Sequence, residues 1–127
     1  MKLAAIDLGS NAIRLLISDV IEGPQGTIDF NKNALVRVPL RLGFDVFEQG
    51  RISDAKAEKL LKTIQSYKLL LDVYEVEHLK ACATAAMRDA QNAAEVIELI
   101  KKETGIEIEV ISGQDEAAYI YENHVAE

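Results

Sequence analysis

The sequence predicts a single α/β domain in which helices pack on a mixed sheet of five strands. Apolar runs at residues 2–8 and 12–21 are too close together for a helical crossover, so they should pair antiparallel through a tight turn. Later stretches, residues 54–75 and 93–104, carry apolar side chains at helical spacing, and short apolar runs separate them. The expected order is β-β-β-α-β-α-β-α, a meander followed by two right-handed crossovers.

The third strand is expected within residues 27–43. Four apolar residues there alternate with Arg37, Pro39 and Arg41, which predicts one buried face and one cationic face. The apolar members are Val36, Val38, Leu40 and Leu42. Because proline donates no hydrogen bond to a ladder, the strand should lie at an edge of the sheet or end near Pro39.

The helices carry recognisable start and stop signals. Ser53 is a suitable N-cap for the first long helix, and Asn92 with Glu95 three residues later resembles a capping box for the second. Gly105 should end that second helix. Strands are expected at residues 77–85 and 106–111, and a last helix should begin after Ser112.

The charge of the chain is unevenly distributed. The net charge is −7, yet residues 1–52 hold six basic and six acidic side chains, so the excess lies in residues 53–127. This balance argues against non-specific nucleic-acid binding, which needs a basic field. An anion site should therefore involve the arginines of the first segment, at positions 14, 37, 41 and 51.

Nothing in the sequence indicates a membrane segment or a secretory signal. No apolar run approaches the ~18 residues of a membrane helix, and the first residues lack a signal-peptide layout. Cys82 is the only cysteine, so an intrachain disulfide is impossible. We therefore expect a protein of the reducing cytoplasm with no membrane partner.

The first candidate functional motif is AAIDLGSNAIR, residues 4–14. Gly9 is expected to adopt left-handed geometry, so that the N–H groups of Ser10 and Asn11 point at an oxyanion. Asp7 would repel that anion unless a cation lies between them, and Mg²⁺ accepts one or two carboxylates together with phosphate oxygens. An ordinary polar hairpin turn is the alternative interpretation.

A second motif, ACATAAMRDAQN, contains small residues at a strand end followed by Arg88. Arg88 is suited to bidentate phosphate binding, or alternatively to a surface ion pair with Asp89 or Asp115. In the third motif, ISGQDEAA, Glu116 lies one turn into the last predicted helix, where the helix dipole favours its ionised form. It is a candidate base for an attacking water, or simply a solvated glutamate.

In this order and spacing, the three motifs resemble the N-terminal half of the exopolyphosphatase/guanosine pentaphosphate phosphohydrolase family. The resemblance implies a ribonuclease H-like domain of the actin-like ATPase type. It also implies magnesium-dependent release of terminal orthophosphate from inorganic polyphosphate or of the 5′ γ-phosphate from guanosine pentaphosphate, although other divalent cations are possible. By the same resemblance, Asp7 would help hold the metal, Glu116 would activate water, and five residues would bind phosphate: Gly9, Ser10, Asn11, Arg14 and Arg88.

The sequence also departs from the family pattern. Ala85 stands where members often carry serine, which removes one hydroxyl donor, and Asn123 stands where glycine is common. The family's second, glycine-rich phosphate loop has no counterpart in these 127 residues. We therefore expect residues 1–127 to form the N-terminal domain of a larger enzyme and to have little activity alone. We also expect the full-length protein to be a homodimer.

Three other functions are compatible with parts of the sequence. A non-catalytic sensor of polyphosphate or guanosine tetra- and pentaphosphate would use the same phosphate contacts without a base. A sugar kinase of the same superfamily would need an acceptor site. A ribonuclease H-like nuclease would need several convergent carboxylates, and the acidic second segment disfavours a polyanionic nucleic-acid substrate.

Overall fold

The structure is a computed structural model and describes residues 1–111. One mixed sheet of five strands, in the order β3-β2-β1-β4-β5, organises this part of the chain. The strands are β1 Lys2–Leu8, β2 Ile13–Glu22, β3 Ile28–Val38, β4 His78–Ala83 and β5 Glu109–Val110. The helices are α1 Leu42–Gln49, α2 Asp54–Val73, α3 Ala85–Asp89 and α4 Ala93–Thr104.

The pairing of the strands confirms the predicted mixed sheet. β2 runs antiparallel to both β1 and β3, whereas β4 is parallel to β1 and β5 is parallel to β4. β3 lies at the edge of the sheet and ends at Val38, directly before Pro39, as the missing proline donor requires.

Side chains alternate between the two faces of the sheet. Ile6, Leu8 and Leu15 are fully buried in the core, which also contains Ile64 and Tyr67 of α2. The Tyr67 hydroxyl donates a hydrogen bond to the carbonyl of Ile13 at 2.6 Å and so ties α2 to β2. The residues between these buried positions, including Asp7, project from the opposite face.

The N-cap of α2 is confirmed, but the capping box of α4 is wrong. The Ser53 hydroxyl accepts a hydrogen bond from the Lys56 amide, as an N-cap should. Asn92 makes no such bond within its own helix. Its side chain instead accepts from the Ile52 amide at 2.9 Å and donates to the Ile52 carbonyl at 2.8 Å, because a backbone segment forty residues away lies within reach. The predicted stop at Gly105 is confirmed by its left-handed conformation.

Two helices were not predicted. Residues 42–49 form α1 rather than the end of β3, because Arg41 takes a left-handed conformation (φ 57°) that turns the chain after Pro39. Leu40 and Leu42 are buried by this turn and not by strand alternation. The short helix α3 replaces the turn expected around Arg88, and β5 is limited to Glu109–Val110. The helix expected after Ser112 lies outside the described residues.

None of the helices within residues 1–111 combines the length and the apolar character needed to cross a membrane.

Candidate phosphate-binding cleft

A cleft of about 360 Å³ opens at the carboxyl ends of β1 and β4. This is the edge at which open α/β sheets generally bind ligands. The cleft is lined by Asp7, Gly9, Ser10, Asn11, Ala12, Arg14, Arg37 and Thr84. The structure therefore brings together five of the predicted site residues, namely Asp7, Arg14 and the three residues of the turn.

The turn between β1 and β2 is held from behind by the connection between β3 and α1. The Arg41 amide donates to the Asn11 carbonyl and the Gly43 amide to the Ser10 carbonyl, both at 2.9 Å. Within residues 1–111, the amides of Ser10 and Asn11 have no hydrogen-bond acceptor. The Ser10 and Asn11 carbonyls thus accept hydrogen bonds, while the N–H groups of the same two residues are available to an anion.

Two glycines permit this close packing for steric reasons. A Cβ on Gly43 would lie 3.0 Å from the Cβ of Ser10, and a Cβ on Gly9 would lie 3.0 Å from the carbonyl oxygen of Ala12. The left-handed geometry expected for Gly9 is wrong, because its φ is not among the positive values. Gly9 is required by the approach of the Ala12 carbonyl, to which its own amide donates at 3.0 Å.

Asp7 is buried, and its two carboxylate oxygens have different surroundings. Oδ2 accepts a hydrogen bond from Arg14 Nη2 at 2.6 Å, and the Asp7 side chain is only 12% exposed. Oδ1 is buried without a hydrogen-bond partner among the described residues. A buried oxygen with no donor is costly in a folded protein, and a cation arriving from the cleft would satisfy it.

The donor set fits a magnesium ion that is shared with a substrate. No group of three histidine, cysteine or acidic side chains comes together within residues 1–111, so this part of the chain offers no all-protein metal cage. Mg²⁺ typically takes one or two carboxylates and completes its shell with phosphate oxygens and water. The free Oδ1 of Asp7, next to open turn amides, is compatible with that mode of binding.

Arg88 stands apart from this group. Arg88 lies on α3, is not part of the cleft lining, and donates from Nη1 to the Ile111 carbonyl at 2.7 Å. Glu116 lies outside the described residues. The roles proposed for these two side chains remain predictions.

Two more residues line the cleft: Thr84, which was not predicted, and Arg37, which was named only as one of four arginines that an anion site should involve. Arg37 reaches the cleft because β3 pairs with β2 so that Arg37 lies opposite Arg14. Thr84 follows β4, and both its amide and its hydroxyl donate to the Leu8 carbonyl, at 3.2 and 3.4 Å. The cationic face of β3 was visible in the sequence, but the register that aims it at the cleft was not.

A larger groove of about 450 Å³ lies at the opposite end of the strands, near the ends of α2 and α4. Charges of both signs line it, and Lys68 pairs there with Asp72 at 3.5 Å on the same helix. It contains no buried polar atom without a partner among the described residues. The smaller cleft is therefore the better candidate site.

Comparison with known proteins identifies the family of the chain. Residues 33–127 match the model of the Ppx/GppA phosphatase family. The chain belongs to this family. A curated relative, exopolyphosphatase 1 of Mycobacterium tuberculosis, is 33% identical over 117 residues, which cover 92% of this chain and 33% of the relative. The chain thus spans about a third of the length of that relative.

Solved structures of the Ppx/GppA family share the fold. The Aquifex aeolicus family member superposes with a TM-score of 0.87 at 36% identity, over 95% of this chain and 38% of that one. An exopolyphosphatase from Cytophaga hutchinsonii gives a TM-score of 0.83 at 30% identity, over 93% and 36% of the two chains. The α/β fold predicted from the sequence, with helices packed on a mixed five-stranded sheet, is therefore confirmed.

Proposed function

We propose that this chain supplies one wall of the active site of a metal-dependent phosphoanhydride hydrolase. In this proposal the full-length protein releases terminal orthophosphate from inorganic polyphosphate, or the 5′ γ-phosphate from guanosine pentaphosphate. The observation that carries the proposal is the buried Oδ1 of Asp7, which has no partner among the described residues and lines the cleft with open turn amides. Membership in the Ppx/GppA phosphatase family supports the class of reaction.

The residues of the cleft have distinct roles in this proposal. The amides of Ser10 and Asn11 bind oxygens of the terminal phosphoryl group. The hydrogen bonds from the Arg41 and Gly43 amides, here called the clasp, hold the turn in place before the substrate arrives. Arg14 neutralises Oδ2 of Asp7, which leaves Oδ1 as the carboxylate oxygen for a cation. A Mg²⁺ ion held at Oδ1 would supply neutralisation of the phosphate charge.

Glu116 is proposed to accept the proton of the water that attacks the terminal phosphorus, and Arg88 to bind phosphate. Both roles rest on the family resemblance. As water attacks, the bond to the bridging oxygen breaks, and the shortened chain leaves with the electron pair of that bond. Such a transfer depends mainly on positioning and charge neutralisation, and a well-placed base contributes ~10²–10⁴-fold.

The remaining wall of the site is proposed to come from a second domain with a glycine-rich phosphate loop. The part of the family relatives that this chain does not span leaves room for such a domain. We accordingly expect the 127-residue chain alone to release phosphate at a small fraction of the rate of the full-length protein.

Colorimetric phosphate release by the full-length protein tests the proposal. Linear polyphosphate and guanosine pentaphosphate are supplied separately, each with and without Mg²⁺. We expect release from at least one substrate, dependence on Mg²⁺, and a loss of about 10²-fold or more in Glu116→Gln. Glu103→Gln is the matched control, because Glu103 is an exposed carboxylate on α4 far from the cleft.

Phosphate release, measured together with ligand binding, distinguishes a sensor from an enzyme. Ligand binding without phosphate release would contradict the hydrolase proposal, whereas a Glu116→Gln rate equal to that of Glu103→Gln would contradict the role of Glu116 as the base. The first of these results would favour a binding module.

A further inference from the structure

Asp7, Arg14 and Arg37 form a row across three neighbouring strands of the sheet. Asp7 of β1 lies opposite Arg14 of β2, and Arg14 lies opposite Arg37 of β3. Directly opposed residues project from the same face, so all three side chains line the cleft. With neighbouring strands ~4.8 Å apart, the row extends the cleft by about 10 Å from Asp7 to the edge of the sheet.

The charges along this row do not balance. Arg14 is paired with Asp7, whereas Arg37 has no ion-pair partner among residues 1–111. Like charges directly opposite each other destabilise a strand pair. The unpaired guanidinium is exposed and lines the cleft, and guanidinium groups bind phosphate through a bidentate fork.

The position of Arg37 also indicates the shape of the ligand. β3 is an edge strand, so no further strand within residues 1–111 flanks Arg37 on its outer side. An anion that spans both the turn and Arg37 must extend along the row, and it can continue past the edge of the sheet. A linear chain of phosphoryl groups has this form, whereas a single orthophosphate would occupy the turn alone.

We propose that Arg37 binds the phosphoryl group that follows the terminal one in a linear phosphoanhydride substrate. This inference rests on the proposed function and adds a second phosphate subsite to it. Arg37 would act in substrate binding, because the reacting phosphorus lies at the turn beside Asp7. Its loss should therefore raise KM and leave kcat nearly unchanged.

The test compares Arg37→Gln with Arg51→Gln in the full-length protein, using tripolyphosphate as the substrate. Arg51 is a matched control, because it carries the same charge outside the cleft lining and makes only a 3.5 Å surface pair with Asp54. We expect Arg37→Gln to raise KM about tenfold with kcat changed less than twofold, and Arg51→Gln to change neither. Equal KM values in the two variants would overturn the assignment of Arg37 and leave the hydrolase proposal intact.

Two further measurements keep the inference independent of folding and of catalysis. If Arg37→Gln does not fold, as judged by circular dichroism, Arg37→Lys replaces it. A KM at least threefold above that of wild type would support bidentate binding of phosphate by the Arg37 guanidinium, and a KM equal to that of wild type would overturn it. If the wild type releases no phosphate, the hydrolase proposal fails, and calorimetric titration of tripolyphosphate decides the role of Arg37. Equal affinities in wild type and variant would then overturn it, and about tenfold weaker binding in the variant would support it.

Discussion

Two carboxylates are buried within residues 1–111, Asp7 at the cleft and Asp45 at the joint between α1 and α2. Asp45 Oδ2 accepts hydrogen bonds from the Ser53 hydroxyl at 2.6 Å and from the Ser53 amide at 3.1 Å. Neither of its oxygens is buried without a partner, whereas Oδ1 of Asp7 is. Both hydrogen bonds to Asp45 come from Ser53, whereas Asp7 has one bonded oxygen and, within residues 1–111, one buried oxygen without a donor.

The joint around Asp45 shows what a structural carboxylate looks like in this protein. The Oδ2 atom of Asp45 accepts hydrogen bonds from Ser53, the N-cap residue of α2. The ammonium of Lys56, in the first turn of α2, donates to the Leu40 carbonyl. Desolvation raises the pKa of Asp45, but the hydrogen bonds from Ser53 and the charge of Lys56 outweigh it and leave the pKa below its ordinary value. An incomplete shell of the kind found at Asp7 is instead typical of groups that act on a ligand.

The largest effect that the comparison predicts is a loss of activity in Asp7→Asn. An amide cannot supply the charge that a divalent cation requires, so we expect phosphate release by the full-length protein to fall at least about 100-fold. The free energy of unfolding should change by less than about 1 kcal/mol, because relief of the unsatisfied oxygen and loss of the charge pair with the half-exposed Arg14 have opposite effects. Release within twofold of wild type at saturating Mg²⁺ would show that Asp7 is not needed for the reaction.

Asp45→Asn should have the opposite effects. Its carboxylate accepts two hydrogen bonds that join two helices, and we expect urea unfolding to show a loss of about 1–3 kcal/mol. Phosphate release per folded molecule should equal that of wild type. A loss of activity without a loss of stability would remove the distinction between the two carboxylates.

The buried phenol of Tyr67 predicts a third, smaller effect, which concerns stability and not activity. Desolvation raises the pKa of Tyr67 to about 12, above its ordinary value of 10.0. The unfolded state therefore loses its proton first, and stability should fall as the pH rises from about 10 to 12. Tyr67→Phe should lose ~1 kcal/mol at neutral pH through the bond to Ile13, and it should lack this alkaline decline in thermal unfolding.

The smallest effect concerns acid stability. The lowered pKa of Asp45 contributes stability above its ordinary value of 3.8, and this contribution is lost as the pH falls through the folded-state pKa. The difference in unfolding free energy between wild type and Asp45→Asn should therefore shrink below about pH 4. A difference that is constant from pH 7 to pH 3 would mean that the charge of Asp45 contributes nothing to the joint.

Much of the fold could be predicted from the sequence, because the relevant signals are local. The hairpin of β1 and β2, the cap at Ser53 and the stop at Gly105 depend on residues a few positions apart. Helix α1 could not be predicted, since Leu40 and Leu42 continue an alternation that suits a strand as well as a buried turn. The bonds of Asn92 to Ile52 join residues forty positions apart, and local patterns do not contain them.

The candidate site divides in the same way. Asp7 and the turn that follows it share one short motif, so their proximity was predictable. Arg37 reaches the cleft only through the pairing register of β3. The hydrogen bonds that hold the turn come from the amides of Arg41 and Gly43, about thirty residues further along the chain. Resemblance to a family can transfer roles between matching motifs, but it does not supply the register of an edge strand.

The clasp formed by Arg41 and Gly43 has a consequence for the order of events during folding. A hairpin of β1 and β2 alone would lack the two amides that bind the Ser10 and Asn11 carbonyls, so the turn gains these two supports only when the third strand and the first helix have docked. The observed geometry of the turn is therefore a property of the completed sheet and not of the hairpin alone.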